Sequence, residues 1–230
     1  MKICTFLLLL VSLPVFAQLG DLKISIVKDS DGFVNVREKA SGSSKILDQL
    51  PNNTLVYYIE ESGPWVEVIY KTLVNEKSGF IYKDRLLDLN QFKEIQSVAI
   101  ADGILFKSRD FELKLTTKPF NKNIHKLTYH GQALTKIEGK LVYGTDGRLP
   151  KVAYKTIELK YKDRISVFPA NSFTNFFEPN LYDNFTRLYI DTNDNTMYLI
   201  AVNSDGAGGY LVIWTITDFK YKSHWVSIPF

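Results

Sequence analysis

The stretch Phe33-Val34-Asn35-Val36-Arg37 alternates apolar and polar side chains, which is the pattern of a strand with one buried face. Turn-forming clusters such as Pro51-Asn52-Asn53-Thr54 and Glu61-Ser62-Gly63-Pro64 separate it from further apolar runs. These runs are Ile46–Leu50, Leu55–Ile59, Trp65–Tyr70 and Gly79–Tyr82. Five short strands within about 65 residues predict a small β-barrel.

Four motifs in this segment occur together and in a fixed order. They are Asn35-Val36-Arg37, Ser43-Ser44-Lys45-Ile46, Gly63-Pro64-Trp65 and Gly79-Phe80-Ile81 running on to Leu86. In combination they resemble the bacterial SH3-type (SH3b) domain across roughly residues 25–88. Lys39 and Ala40 replace the Gly-Pro that commonly follows the arginine, and Asn53 replaces a turn glycine. The resemblance implies a module that binds cell-wall peptide or another extended ligand, often beside a hydrolase.

Aromatic side chains on these strands are the candidates for a ligand-binding groove. The candidates are Tyr57, Tyr58, Trp65 and Tyr82. The alternative is that rings such as Trp65 and Phe80 fill the barrel core, because aromatic residues so often serve packing. We favour the core for Phe80, and both interpretations stay open for Trp65.

The N-terminal residues have the pattern of a secretory signal. Lys2 precedes the apolar run Ile3–Val11, and Val15-Phe16-Ala17 ends in the small residue that signal peptidase requires. We predict cleavage after Ala17 and a periplasmic or secreted mature protein. A membrane anchor is the alternative, but the apolar stretch is only about 14 residues long, whereas a spanning helix needs about 20. We therefore expect no stable membrane span after cleavage.

Removal of the signal would also remove Cys4, which is the only cysteine of the chain. The mature protein could then form no disulfide and use no cysteine nucleophile. The full chain carries a formal net charge of +3, and its basic residues show only a mild excess after residue 90. Such a balance falls short of a nucleic-acid-binding surface, so we predict no nucleic-acid partner.

The chain divides into four predicted parts: a signal peptide at 1–17, an SH3b-like domain at 22–89, a linker at 90–97 and an antiparallel β domain at 98–230. In the last part, Ile157–Tyr161 and Ile165–Val167 flank a polar turn and predict a hairpin. The run Tyr210–Ile216 is apolar on both faces, which predicts a central strand. The predicted fold class is all-β, with a small barrel followed by a second antiparallel domain, a sandwich or a barrel.

Only two segments show helical spacing of apolar residues. They are Leu89–Val98, which falls on the linker, and Ala170–Phe177, where Asn171 or Ser172 could cap a turn. Both are short, so neither changes the predicted class.

The second domain holds several patterns that resemble known chemistry. Asp191–Asn195 begins like a calcium loop, but Thr196 and Val202 stand where such a loop needs glycine and glutamate. A polar hairpin turn is the favoured interpretation. His125, His130 and His224 lack zinc-ligand spacing, and no Gly-x-Ser-x-Gly elbow marks a serine hydrolase. We therefore predict no metal and no cofactor.

The glycine-rich run Ser204–Gly209 is the second candidate for a ligand contact. Its glycines indicate unusual backbone angles or the close approach of another group, although a wide hairpin loop explains them too. Aromatic residues on adjacent predicted strands would flank the loop. The candidate contact residues here are Asp205, Gly206, Gly208, Tyr210 and Trp225, with Trp225 on an exposed edge.

These patterns favour a non-enzymatic binding protein whose SH3b-like domain docks on peptidoglycan peptide or on a protein. One alternative is an inhibitor or immunity-type protein that binds a periplasmic enzyme through its C-terminal domain. A second is a cell-wall hydrolase, since two carboxylates suffice for glycoside cleavage. The candidate carboxylates are Asp102, Glu138, Asp146, Glu158 and Asp205.

Overall fold

The computed structural model describes residues 23–72 and 75–228. The protein is all-β, with 58% of residues in strands and no described helix of seven residues or more. The predicted signal peptide lies outside the described residues. Within those residues, no helix has the length and hydropathy needed to span a membrane.

The N-terminal domain is a barrel built on one seven-stranded antiparallel sheet. Its strands are β1 Ile24–Val27, β2 Phe33–Arg37, β3 Ile46–Pro51, β4 Leu55–Ser62, β5 Trp65–Lys71, β6 Glu76–Tyr82 and β7 Leu86–Asp88, in the order β3-β2-β6-β5-β4-β1-β7. Side chains on alternate positions, including Val34, Val66 and Ile81, fill the interior. The predicted barrel is therefore confirmed, and its alternation decides which side chains face outward.

The second domain is a sandwich of two five-stranded antiparallel sheets. The first sheet has the order β16-β15-β11-β10-β9, from β9 Ser97–Ile100, β10 Gly103–Lys107, β11 Phe111–Pro119, β15 Val152–Tyr161 and β16 Arg164–Val167. The second has the order β20-β19-β18-β17-β8, from β8 Lys93–Ile95, β17 Thr186–Asp191, β18 Thr196–Asn203, β19 Tyr210–Thr217 and β20 Lys220–Ser227. The predicted hairpin across Lys162–Arg164 and the predicted interior strand at Tyr210 are both confirmed.

The second sheet of the sandwich is buried on both faces. Leu199 and Val212 point into the core between the two sandwich sheets. Ile200 and Ile213, one position along, pack against Ile26 of the barrel. All eight residues of β18 are consequently buried, which explains the apolar run Met197–Val202 within it.

The barrel and the sandwich are joined by polar contacts around this shared apolar layer. Lys28 Nζ lies 2.7 Å from Asp194 Oδ2, and Tyr189 Oη donates to Asn90 Oδ1 at 2.9 Å. The chain does not cross between the domains as a helix, so the helical expectation at Leu89–Val98 was wrong. Leu89–Gln91 forms one 3-10 turn, and β8 pairs with β17 as an edge strand.

The second helical candidate, Ala170–Phe177, was also wrong beyond its first turn. Only Ala170–Ser172 is a 3-10 turn. Phe176 then points into the sandwich core, whereas Phe177 points into a smaller core around Leu134. Neighbouring side chains that face opposite cores require an extended backbone.

A small three-stranded sheet packs on that smaller core. It consists of β12 Leu127–His130, β13 Ala133–Ile137 and β14 Lys140–Leu141. Leu134 and Ile137 are its buried residues, and they contact Ala153 and Phe177.

Candidate ligand-binding sites

The outer surface of β5 and β6 carries an aromatic pair. Trp65 and Tyr82 are directly opposite in register, and their rings meet edge to face at 5.2 Å. Trp65 is half-buried and Tyr82 is 40% exposed. Neither the indole nitrogen of Trp65 nor the Tyr82 hydroxyl has a hydrogen-bond partner among the described residues, so both polar groups are free to meet a ligand.

A second cross-strand row lies beside this pair. It runs from Arg37 through Phe80 and Glu67 to Glu60, each opposite the next in register. Phe80 is half-buried on the outer surface, and its neighbour Ile81 occupies the barrel interior. Assigning Phe80 to the core was therefore wrong, because Gly79 and Ile81 take the inward positions of β6.

Arg37 donates to the Ser44 carbonyl at 2.7 Å. We call the other five residues of these two rows, Trp65, Phe80, Tyr82, Glu60 and Glu67, the outer aromatic face. Sequence reasoning selected Trp65 and Tyr82 and missed the other three members. The missing signal is available in the sequence, since strict alternation along β5 and β6 places Glu67 and Phe80 on the side of Trp65.

The other two predicted groove residues, Tyr57 and Tyr58, lie on β4 and do not belong to the outer aromatic face. Tyr57 packs into the apolar layer between the barrel and the sandwich, and this burial raises the pKa of its hydroxyl. Tyr58 packs against the barrel core and donates its hydroxyl proton to Glu61. Burial, as the larger cause, and the Glu61 carboxylate, as the smaller one, raise the pKa of Tyr58 to about 12. The structure thus brings Trp65 and Tyr82 together and separates both from Tyr57.

The glycine-rich loop between β18 and β19 borders a cleft of about 880 Å³. Asp205, Gly206 and Ala207 are exposed at its rim. Its remaining lining combines both signs of charge with polar and aromatic groups, among them Asp146, Arg148, Lys151, Glu178, Asn180 and Tyr182.

The walls of this glycine-loop cleft are held by hydrogen bonds between three chain segments. Ser204 Oγ donates to the Gly144 carbonyl at 2.8 Å, and Asn180 Nδ2 donates to the Ser204 carbonyl at 2.9 Å. Asp146, Glu178 and Ser204 all have positive φ angles, which non-glycine residues seldom adopt. Gly208 lies under the loop, where an added Cβ would come within 2.9 Å of Ser204 Oγ.

Tyr210 and Trp225 do not lie at a free surface. Tyr210 is fully buried and donates its hydroxyl to the Phe177 carbonyl at 2.9 Å. Trp225 is 5% exposed, because its ring packs in the layer beneath the barrel. The expected exposed edge at Trp225 is therefore wrong: the barrel covers that part of β20.

The candidate carboxylates are dispersed. Asp146 and Asp205 line the glycine-loop cleft together, whereas Asp102 follows β9 and Glu158 belongs to β15. Glu138 accepts from the Lys126 backbone N–H at 2.9 Å, and this bond, with a weaker one to His125, lowers its pKa. A carboxyl group that acts as a general acid requires a raised pKa. The pKa of Glu138 is shifted in the opposite direction.

The histidines and the Asp191 loop complete the candidate positions. Burial lowers the pKa of His224, whose Nδ1 lies 2.8 Å from the Tyr221 hydroxyl. Asp191 Oδ1 accepts from the Asn193 backbone at 2.9 Å, which confirms a hairpin turn between β17 and β18. In the described part of the chain, no three His, Cys, Asp or Glu side chains are grouped to hold a metal ion.

A larger cleft of about 1160 Å³ lies between the barrel and β18–β20. Its lining includes Leu50, Lys71, Tyr198 and His224, which come from both domains. No local sequence pattern marks it, because the two halves meet only after the domains pack.

Comparison with known proteins gives one match. Residues 32–86 match the family described as the bacterial SH3 domain. No curated protein and no solved structure matches the chain. Bacterial SH3 domains are typical of extracellular or cell-wall-associated proteins and suggest a role in binding peptidoglycan or protein. The match covers β2–β6, whereas β1 lies before it and β7 only begins within it. Residues 32–86 of this chain therefore belong to a bacterial SH3-type domain, which a second β domain follows.

Proposed function

We propose that this protein is a secreted or periplasmic, non-enzymatic binding protein that docks on the stem peptides of peptidoglycan. The outer aromatic face of its SH3b-type domain is the contact surface. The observation that carries the proposal is the edge-to-face pair of half-buried Trp65 and exposed Tyr82 on the outer surface of the barrel.

The composition of this face suits an extended peptide. Trp and Tyr offer large, rigid contact areas and polar groups that bind backbone carbonyls. The indole nitrogen of Trp65 is free to donate to such a carbonyl. The strands beneath are fixed by the barrel core, so the face is preorganised and little conformational entropy is lost on binding.

The acidic pair beside the rings adds selectivity. Glu60 and Glu67 are opposite in register, and neither forms an ion pair within the described residues. Two neighbouring carboxylates attract a cationic group, and the diamino acid of a stem peptide can supply a free amine. This favours stem peptides with an uncrosslinked amine over crosslinked ones.

The test is retention of the mature protein on purified sacculi at low salt. We expect the wild-type protein to sediment with the sacculi, and Trp65→Ala with Tyr82→Ala to reduce the bound fraction at least about tenfold, as for a central aromatic contact. Tyr182→Ala is the matched control, because Tyr182 is an exposed tyrosine of the second domain.

Two results would contradict the proposal. One is no retention of the wild-type protein, and the other is retention that the Trp65/Tyr82 double variant leaves unchanged. If only Tyr182→Ala lost retention on sacculi, the binding site would be the glycine-loop cleft of the second domain, which Tyr182 lines.

A second candidate function is recognition of a protein through that cleft, as an inhibitor or immunity-type protein would do. The observation that favours it is the exposed rim Asp205–Ala207 above a cleft with fixed walls. Pull-down from periplasmic extract should then yield a defined partner enzyme, and Asp205→Lys should abolish that capture.

A further inference from the structure

The net positive charge of the chain is concentrated in residues 118–151, which we call the basic sheet segment. It contains seven lysine and arginine residues and two acidic residues. Its net charge of +5 exceeds the +3 of the whole chain, so the remainder of the chain is slightly acidic. The segment includes the three-stranded sheet β12–β13–β14 and the turns around it.

Both acidic side chains of the segment are already engaged. Glu138 accepts from the Lys126 backbone and lies 3.3 Å from His125 Nδ1. Asp146 Oδ2 lies 3.9 Å from the Arg148 guanidinium. In contrast, none of the six lysines forms an ion pair with any residue that the structure describes. They are Lys118, Lys122, Lys126, Lys136, Lys140 and Lys151, and all are exposed.

The same segment exposes large apolar side chains. Ile124 is 68% exposed and Leu141 is 60% exposed, and Tyr129 and Leu149 are exposed as well. Lys136 is opposite both Thr128 and Leu141 in register, so these three side chains share the outer face of the sheet. The inner face is occupied by Leu134 and Ile137, and no described residue outside the segment is seen to cover the outer face.

We infer that the basic sheet segment is a peripheral docking surface for an anionic lipid bilayer. Unpaired lysines supply attraction to anionic headgroups, and the interleaved apolar side chains supply the part that enters the interface. A soluble polyanion would use the lysines but would leave Ile124 and Leu141 in water. The combination of charge and exposed apolar groups therefore favours a lipid surface over a polyanion.

Flotation of the mature protein, which begins after Ala17, with vesicles tests the charge requirement. We expect binding to vesicles that contain phosphatidylglycerol, no binding to pure phosphatidylcholine, and loss of binding at high salt. Lys136→Glu with Lys140→Glu should weaken binding by about tenfold or more, since each lysine near an anionic surface contributes substantially. Lys39→Glu with Lys45→Glu changes the net charge equally on an exposed barrel loop and should bind as the wild-type protein does.

A single introduced cysteine tests the apolar contact. Cys4 is the only cysteine of the chain and is absent from the mature protein, so Leu141→Cys can be labelled specifically with an environment-sensitive dye. The label should shift to the blue on phosphatidylglycerol vesicles, whereas the same label at Ile165→Cys should not. Ile165 is the matched control, because it is 62% exposed on the edge strand β16.

Three results would overturn the inference. They are no binding to anionic vesicles, equal loss of binding in the Lys39/Lys45 control, and vesicle binding without a blue shift at position 141. The last result would indicate a surface for polyanions and not for a bilayer.

Discussion

The indole nitrogen of Trp225 donates a 2.7 Å hydrogen bond to Oε1 of Glu76. Trp225 belongs to the last strand of the second domain, and Glu76 begins β6 of the barrel. The bond therefore connects the outermost strand of the sandwich sheet to a barrel hairpin, above the apolar layer of Ile26 and Ile213. Barrel and sandwich are held together by buried apolar area with a polar contact at its border.

Trp225→Phe is expected to lower the free energy of unfolding by about 2 kcal/mol, because it removes a hydrogen bond to a charged acceptor. The change is measured by urea denaturation. Trp65→Phe is the matched control, since that indole has no partner in the described part of the chain, and its cost should stay within about 0.5 kcal/mol. Similar losses in the two variants would contradict a stabilising role for the Glu76 bond.

Glu67→Gln is expected to weaken binding of an amine-bearing stem peptide by about threefold, which is the range of an exposed ion pair. The shape of glutamine is nearly that of glutamate, so only the charge is tested. Dissociation constants at low and high salt provide the measurement, and the difference should shrink at high salt. Glu38→Gln, on an exposed loop, is the control. An unchanged affinity in Glu67→Gln would remove the amine from the proposed recognition.

Gly144→Ala is expected to destabilise the protein by about 3 kcal/mol, in the range of severe packing defects. An added Cβ would lie 2.3 Å from the Phe177 carbonyl oxygen, which also accepts the Tyr210 hydroxyl. Gly139 is the control, because it has a similar positive φ and open space around it. Gly139→Ala should cost only about 1 kcal/mol, the price of the left-handed backbone alone. Thermal denaturation of the two variants distinguishes the clash from the backbone effect.

Asp29 is expected to contribute stability that disappears in acid. The Asp31 backbone N–H donates to its carboxylate at 2.7 Å and, together with Arg85, lowers its pKa below the ordinary 3.8. A lowered pKa in the folded state stabilises the protein above pH 3.8, and this contribution is lost as the pH falls through the folded-state value.

Asp29→Asn should therefore be less stable than the wild-type protein at neutral pH, and the difference should close below pH 3.8. Urea denaturation across this pH range measures the difference. Asp163→Asn, in the exposed β15–β16 turn, is the control substitution. A gap for Asp29→Asn that stays constant down to pH 2 or about that value would refute the role of its charge.

Local patterns predicted the strands well. The alternation in Phe33–Arg37 and the hairpin around Lys162–Arg164 depend on side chains that are close in the chain, and both were confirmed. The short helical pattern at Leu89–Val98 failed because a long-range strand pairing outweighed the local spacing. Leu89–Val98 has apolar residues at helical spacing, but Ile95 gains more by pairing β8 with β17 and entering the sandwich core.

The candidate sites were predicted less completely. Trp65 and Tyr82 follow from the barrel motifs, and register brings them together. The environment of Trp225 could not be predicted, because the polar residues around it indicate an exposed edge and the covering barrel lies far away in the sequence. The lining of the interdomain cleft is equally nonlocal.

The sequence by itself determined the barrel strands and which of their side chains share a face, because the period of two along a strand is fixed by backbone geometry. It also determined that Tyr210–Ile216 is buried on both sides. Only the tertiary structure decided what covers each side: one sandwich sheet over Val212, and the barrel over Ile213. Burial of apolar surface is nondirectional, so a strand encodes how much of it must be covered and not which distant residues cover it.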